Sequence, residues 1–447
     1  MSKETIYALS TVFGKSGVAV FRVSGIDAIK TIEKLTDINI GKLKSRYAYF
    51  TSLKNISDGS LLDKALVIYF KNPHSFTGED TVEIHSHGSK AVIAGIMDNL
   101  SKIENYRLAE AGEFSKRAFY NNKMDLTEAE GLADLIDAET KEQQKYALRQ
   151  MSGELKGLYD GWREELVKTL AHVEAYIDFP EEDIPEEVVI GLENTVFKVK
   201  ESIKNHLSQK NQGEKLREGF RVVIIGEPNA GKSSLLNTLA KREAVIVSDI
   251  AGTTRDAIDV YMDINGYPVI FTDTAGLRET KEEIEQIGIT IAQSRAKEAD
   301  MIIGLIDGQN INFVRFNELA KHGKDNILYV INKSDYLTDE QRSKYEKEGY
   351  LIISAKYQIG IDELFKVIEN HISRQFTSTS GALITRQRYR EALNDVLEYL
   401  TEFNLNKPIE LAAEDVRMAA RSIGKITGRI EINEILDKIF GSFCIGK

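Results

Sequence analysis

Apolar residues follow three successive rhythms along this chain. From Thr5 to about Leu100, short β-branched or aromatic runs (SGVAVFRVS, KALVIYF, DTVEIHS) mix with helical stretches, separated by turn-rich pieces such as NISDGS and KNPHSFTGED. This predicts an α+β domain over residues 1–120. Beyond Asp125 the apolar spacing changes to three and four in TEAEGLADLIDAETKEQQKYALRQM and ELKGLYDGWREELVKTLAHVEAYI, which predicts long helices, with Thr127 and Glu130 spaced as a capping box. From Phe220 buried-strand runs alternate with helices: FRVVIIG, AIDVYMDI, YPVIFTD, MIIGLID, NILYVIN and YLIIS. Asn265-Gly266 joins the second and third as a tight hairpin, so one antiparallel edge strand is expected on an otherwise parallel sheet. TSTSG at 377–381 reads as a linker, and QRYREALNDVLEYLTEFN and the segments to Ile439 are helical again. Helical patterning thus stops and resumes. The simplest architecture inserts an α/β block, 216–376, into one helical domain made from 121–215 and 377–447.

A length of 447 residues exceeds what one core serves, in keeping with three domains. Hydrophobic content of 42% and charged content of 28% describe an ordinary soluble protein. Cys444 is the single cysteine, which excludes an intramolecular disulfide, and the opening MSKETIYALS lacks the charged and apolar regions of a signal peptide. The best apolar run, MIIGLI, is strand-length and too short for a membrane span. A cytoplasmic protein is expected. The net charge of −11 argues against sequence-blind adhesion to nucleic acid, although a local basic face can still grip phosphates.

The α/β block carries the most specific chemistry. GEPNAGKS, 226–233, sits between a strand and a helix, the context in which G-x-x-x-x-G-K-[ST] becomes informative. Gly226 and Gly231 let backbone N–H groups turn toward phosphate, Lys232 reaches the β- and γ-phosphates, and Ser233 can ligate Mg²⁺. DTAG at 273–276 ends a strand, where Asp273 can reach the Mg²⁺ shell through water and Gly276 can bond the γ-phosphate. NKSD at 332–335 identifies the base: the Asp335 carboxylate accepts from guanine N1–H and its amine, and adenine has no donor at N1. Such a site rejects the wrong base by ~10⁴ or more. The nucleotide is therefore expected to be GTP. SAK at 354–356 fits the loop behind the base, and in IAGTTRD, 250–256, Thr254 can offer Mg²⁺ a hydroxyl that is released after hydrolysis.

The order and spacing of FRVSG (21–25), SFTGED (75–80), HSHG (85–88), GEFSKRAFYNNKMDLTEAEGLADLIDA (112–138), GEPNAGKSSLLN (226–237), DIAGTTRD (249–256), DTAGLRE (273–279) and terminal FCIGK make the chain resemble the MnmE (TrmE) family along essentially its full length. These are tRNA wobble-uridine modification GTPases. The resemblance implies an N-terminal domain that dimerises and binds 5-formyl-tetrahydrofolate or a related one-carbon folate, a helical domain, and an inserted Ras-like P-loop G domain. It implies a homodimer that works with FAD-containing MnmG on tRNA, placing an aminomethyl or carboxymethylaminomethyl group at C5 of uridine 34. The implied nucleotide contacts are Asn229, Ala230, Gly231, Lys232, Ser233, Ser234, Ser248, Asp249, Ile250, Ala251, Gly252, Thr253, Thr254, Asp273, Thr274, Ala275, Gly276, Asn332, Lys333, Asp335, Ser354, Ala355 and Lys356. Mg²⁺ falls to Ser233 and Thr254. K⁺, which replaces an arginine finger in this family, falls to Asn229, Ser248, Thr253 and the carbonyl of Ile250. Without the resemblance, Asn229 reads first as a loop-capping residue.

Glu285 matches the glutamate proposed to orient the attacking water; a solvated helix face is the alternative among its acidic neighbours. Folate contacts map onto Arg22, Glu79, Lys123 and Lys447, with a structural Arg22–Glu79 ion pair as the alternative. His85 and His87 share a strand face, but no cysteine cluster accompanies them and no metal is placed there. If the tail folds back on the first domain, Cys444 presents a thiol where carbon reaches uridine; simple packing is the other reading. Arg417, Arg421, Lys425 and Arg429 recur every four residues, a band that either touches tRNA phosphates or is a solvated face. A ribosome-assembly switch without folate chemistry is the competing function, and it leaves SFTGED, RAF and FCIGK unexplained.

Overall fold

The structure is a computed structural model that describes residues 4–178, 185–208, 211–242, 245–246, 259–273, 299–313, 326–376, 381–430 and 433–446. The chain divides into two compact units, one of Met1–Ala133, Gln150–Val196 and Glu398–Lys447, the other of Asp134–Arg149 and Phe197–Leu397.

The first unit holds a six-stranded sheet of β1 (Thr5–Leu9), β2 (Ser16–Ser24), β3 (Ala48–Lys54), β4 (Leu61–Phe70), β5 (Thr81–Gly88) and β6 (Tyr106–Leu108), in the order β3-β4-β5-β2-β1-β6. Every neighbouring pair is antiparallel except β1 with β6. Alternation within β2 and β5 decides what each face does. Phe21, Val23, Val82 and Ile84 point to a core closed by Ile93, Ile96 and Leu100 of the helix Lys90–Ser101. Each such burial contributes about 1.5–3 kcal/mol. Residues one step out of phase, Arg22, Ser24 and Glu83, share the opposite face with Ile6 and Ala8, which pack on Phe114 of the helix Glu113–Tyr120.

The helix Leu126–Ile136 begins at a side-chain cap two residues earlier than the sequence suggested. Asp125 and Glu128 form the capping box: Glu128 N–H donates to Asp125 Oδ1 at 2.8 Å, and Asp125 N–H donates to Glu128 Oε2 at 2.6 Å. Thr127 instead lies inside the helix Leu126–Ile136, its hydroxyl donating to Asp125 Oδ1. The long helix expected from Thr127 onward is two helices, because Thr140 and Gln143 cap a second one, Lys141–Met151. Glu154–Asp178 is one uninterrupted helix and packs along Ile409–Thr427, with Val173, Leu192 and Ala413 in their shared core. Among the described residues, no helix is long and apolar enough to cross a membrane.

The second unit is built on a seven-stranded sheet of β7 (Phe220–Gly226), β8 (Val245–Ile246), β9 (Asp259–Ile264), β10 (Tyr267–Asp273), β11 (Met301–Asp307), β12 (Ile327–Asn332) and β13 (Leu351–Ile352), in the order β13-β12-β11-β7-β10-β9-β8. β7 is central, parallel to β10 and β11, and buried on both faces, which is why it reads as a nearly continuous apolar run. The Asn265-Gly266 hairpin makes β9 antiparallel, as expected. β9 is not the edge, however. β8 pairs antiparallel outside it, and a two-residue strand leaves no periodicity to read in a sequence.

Candidate functional site

The parallel strands of the second unit all deliver their motifs at their C-terminal ends, the side of an α/β sheet where ligands bind. β7 ends at Gly226, β11 at Asp307 and β12 at Asn332. A Cβ on Gly226 would stand 2.4 Å from Leu305 O, and one on Gly231, at φ +93°, would stand 2.4 Å from Asn332 Nδ2. Both positions need glycine, and the loop between them turns tightly into the helix Lys232–Arg242. Lys232 Nζ curls back to donate to Gly226 O at 2.9 Å and Glu227 O at 3.0 Å. Ser233 and Ser234 are exposed on the first turn. Asn229 is exposed and left-handed, φ 62°, a conformation that asparagine tolerates; loop geometry alone therefore accounts for its identity.

Buried Asn332 ties the phosphate loop to the base loops. Its Nδ2 donates to Ala230 O at 2.8 Å, and its Oδ1 accepts from Ala355 N–H at 3.0 Å. Ser354 Oγ donates to Asp335 Oδ1 at 2.9 Å, leaving Oδ2 without a hydrogen-bond partner among the described residues. Lys333 Nζ is held by Asp307 Oδ2 at 2.6 Å. The side-chain amine of Lys356 is raised in pKa, chiefly by its hydrogen bond with Tyr357.

The polar face of the first sheet forms a second constellation. Arg22 donates through Nε and Nη2 to Glu83 Oε1, at 3.1 and 3.0 Å, and its guanidinium lies over the Phe76 ring, 5.1 Å from the centroid. Glu79 Oε2 accepts from Ser24 Oγ and from Arg117 Nη1, each at 2.9 Å. The Arg22–Glu79 pair kept as an alternative does not form, because each side chain has another partner. Ser24, which holds Glu79, is two residues from Arg22 on the same strand face, roughly 7 Å along the strand. Lys123 Nζ donates to Pro73 O at 3.0 Å, just ahead of the same loop.

The tail folds back onto this domain. Ile445 bridges Ala111, Ser10 Oγ donates to Gly446 O at 3.0 Å, and a Cβ on Gly446 would stand 2.4 Å from Leu9 O. Phe443 is buried with Phe440 and Leu126, and the thiol of Cys444 is exposed. Register places this contact one strand from β2, where Ala8 faces Arg22 and Leu9 faces Phe21.

Two family descriptions match this chain, the MnmE helical domain over residues 126–444 and the GTP-binding protein TrmE N-terminus over 5–123. The tRNA modification GTPase MnmE of Rickettsia bellii (strain RML369-C) is 47% identical over 446 residues, covering 99% of this chain and 100% of that protein. The chain belongs to the MnmE family. The protein of the same description from Rickettsia typhi is 46% identical over 446 residues, with the same coverage. The G domain of the T. maritima FeoB iron transporter is 21% identical at a TM-score of 0.27, covering 35% of this chain and 98% of that one, so the G-domain reading rests on the sheet and its motifs instead.

For the MnmE-family residues named from sequence, Ser248, Asp249, Ile250, Ala251, Gly252, Thr253, Thr254, Thr274, Ala275, Gly276, Glu285 and Lys447 lie outside the described residues, as does most of the 377–381 linker. Of Asp273 only the backbone is described, at the end of β10 opposite Ile224. His85 and His87 do share a face of β5, but each has an acidic neighbour: Glu83 Oε2 at 3.3 Å and Asp63 Oδ1 at 2.8 Å. The basic band is broken, since the helix ends at Thr427 and Arg429 lies beyond left-handed Gly428. Arg429 pairs with Asp160, and Arg417 with Glu174 and Glu414. Sequence reasoning missed Arg117, Glu83 and Thr238, whose Oγ1 donates to Ala355 O at 3.1 Å. Arg117 was visible in the RAF triplet; Thr238 carried no signal.

Proposed function

We propose that the protein is a tRNA modification GTPase whose G domain, 216–376, is inserted into a helical domain and whose N-terminal domain binds a one-carbon folate. The observation that carries the GTPase half is the Asn332 bridge, which holds phosphate loop and base loops in one frame. Ser354 fixes Asp335 with one carboxylate oxygen open for the donors of guanine. Lys232, which otherwise donates to the carbonyls of Gly226 and Glu227, and the N–H groups after Gly231 would take the phosphates. Ser233 and Thr254 would hold Mg²⁺, which offsets phosphate charge; Asn229, Ser248, Ile250 and Thr253 would hold K⁺, which supplies the positive charge an arginine finger gives elsewhere. Of these, Ser233 and Asn229 are described, and both residues are exposed. Glu285 orients the attacking water.

The folate half rests on Arg22, Glu79 and Lys123, joined by Lys447 of the tail. Arg22 Nη1 and Glu79 Oε1 have no hydrogen-bond partner among the described residues, a donor and an acceptor suited to the glutamate tail and pterin edge of a folate. Homodimerisation, partnership with MnmG, and tRNA carrying uridine 34 complete the proposal, in a cytoplasmic setting. Mass spectrometry of wobble nucleosides from cells lacking the gene tests it. Loss of the uridine-34 modification is expected, and an unchanged nucleoside profile refutes it. Direct titration with GTP and ATP tests the base reading, which equal affinities would overturn.

A further inference from the structure

We infer that Arg117 and Ser24 are positioning residues that aim Glu79 at the 2-amino group of the pterin, an inference that rests on the folate reading above. Arg117 has 8% of its side chain exposed, an unusual place for a guanidinium unless every donor is used. Its Nη1 donates to Glu79 Oε2 at 2.9 Å and to Glu4 O at 3.1 Å; its Nη2 donates to Glu113 Oε1 at 3.0 Å. Glu113 is fixed in turn by Arg107, at 2.8 and 2.6 Å, and by the N–H of Glu110 at 3.0 Å. Arg117 is thus anchored on one side so that it can hold Glu79 on the other.

Ser24 supplies the second donor. Its hydroxyl lies 2.9 Å from Glu79 Oε2 and 2.7 Å from Thr77 Oγ1, and the Glu79 N–H donates to that same Thr77 oxygen at 3.2 Å. Backbone and one carboxylate oxygen of Glu79 are therefore locked by residues from β2, the SFTGED loop and the helix Glu113–Tyr120. Oε2 is filled by two protein donors, so Oε1 alone is left to accept from a ligand, and in a set direction. A carboxylate presented this way discriminates a donor from a methyl group, which is what separates a 2-aminopterin from its 2-desamino-2-methyl analogue.

Isothermal titration calorimetry of the full-length protein with 5-formyl-tetrahydrofolate and with that analogue tests the assignment. Wild type is expected to prefer the parent folate; Ser24→Ala and Arg117→Lys should each weaken parent binding about tenfold while moving analogue affinity less than about twofold. Ser24→Ala leaves Arg117 in place and keeps the test readable if Arg117→Lys does not fold. Equal losses for both ligands, or no loss for either, would overturn the positioning role while leaving folate binding intact. A wild-type protein that binds neither ligand would remove the folate reading itself, and the inference with it.

Discussion

Asp125 offers the sharpest quantitative test of how the helical region is held. Its Oδ1 caps the helix Leu126–Ile136, and its Oδ2 is shielded from solvent with no hydrogen-bond partner among the described residues. Desolvation outweighs the N–H of Glu128 and the hydroxyl of Thr127, and pushes the carboxyl from 3.8 up to about 6, with Glu128 raising it further and Lys156 opposing. That gap corresponds to about 3 kcal/mol against the ionised form at neutral pH. The folded-state pKa is raised, so the stabilisation is complete below about pH 4 and is lost as pH rises through about 6. Roughly half, about 1.5 kcal/mol, should return between pH 7 and pH 5.

Asp125→Asn keeps an oxygen for the Glu128 N–H and removes the charge. Its buried amide costs about 1–3 kcal/mol, so stability at pH 7 should stay close to wild type while the pH dependence disappears. His206, pushed down to about 4 by burial and then by Arg390, moves stability the opposite way over the same pH range. It is common to both proteins and cancels in their difference. Urea unfolding followed by the fluorescence of Trp162, the chain's one tryptophan, supplies that difference at pH 5, 6 and 7. A difference that stays constant across the range would refute the assignment of the buried charge to Asp125.

Gly231→Ala should cost about 2–4 kcal/mol, from left-handed strain plus displacement of the buried Asn332 amide, and should abolish measurable binding of a fluorescent GTP analogue. Wild-type affinity in that titration would show that the loop has room that the geometry denies it. Glu285→Gln is expected to stop GTP turnover in K⁺ buffer with GTP binding intact; hydrolysis at the wild-type rate removes Glu285 from the mechanism. Cys444→Ser should fail to restore the modified wobble nucleoside in cells, and full restoration would remove the exposed thiol from the reaction.

What the sequence exposed was local chemistry. GEPNAGKS, NKSD and SAK are each contiguous, so their spacing announced the nucleotide site, and the apolar periods announced both sheets and the long helices. Helix starts were harder to read, since Asp125 with Glu128 and Thr127 with Glu130 have the same spacing. Only the position of the apolar face against the core, with Leu126 buried beside Phe440, chooses the first pair. The 25-residue helix from Glu154 was legible throughout because nothing in it caps a new start, whereas Thr140 and Gln143 divide the stretch before it.

The pairings that give each site its shape join residues far apart in sequence, and they were not legible for that reason. Asn332 reaches Ala230 across 102 positions, Thr238 reaches Ala355 across 117, and Arg117 reaches Glu79 across 38. A buried polar group must find its partner wherever the fold brings one, because leaving it unpaired costs about 1–3 kcal/mol. Such partners therefore answer to the closed structure and carry no fixed spacing. The residues expected to touch ligands stand out as motifs. The residues that aim them are harder to assign: the RAF triplet marked Arg117, but its role as the partner of Glu79 shows only in its burial to 8% exposure and in the contact itself.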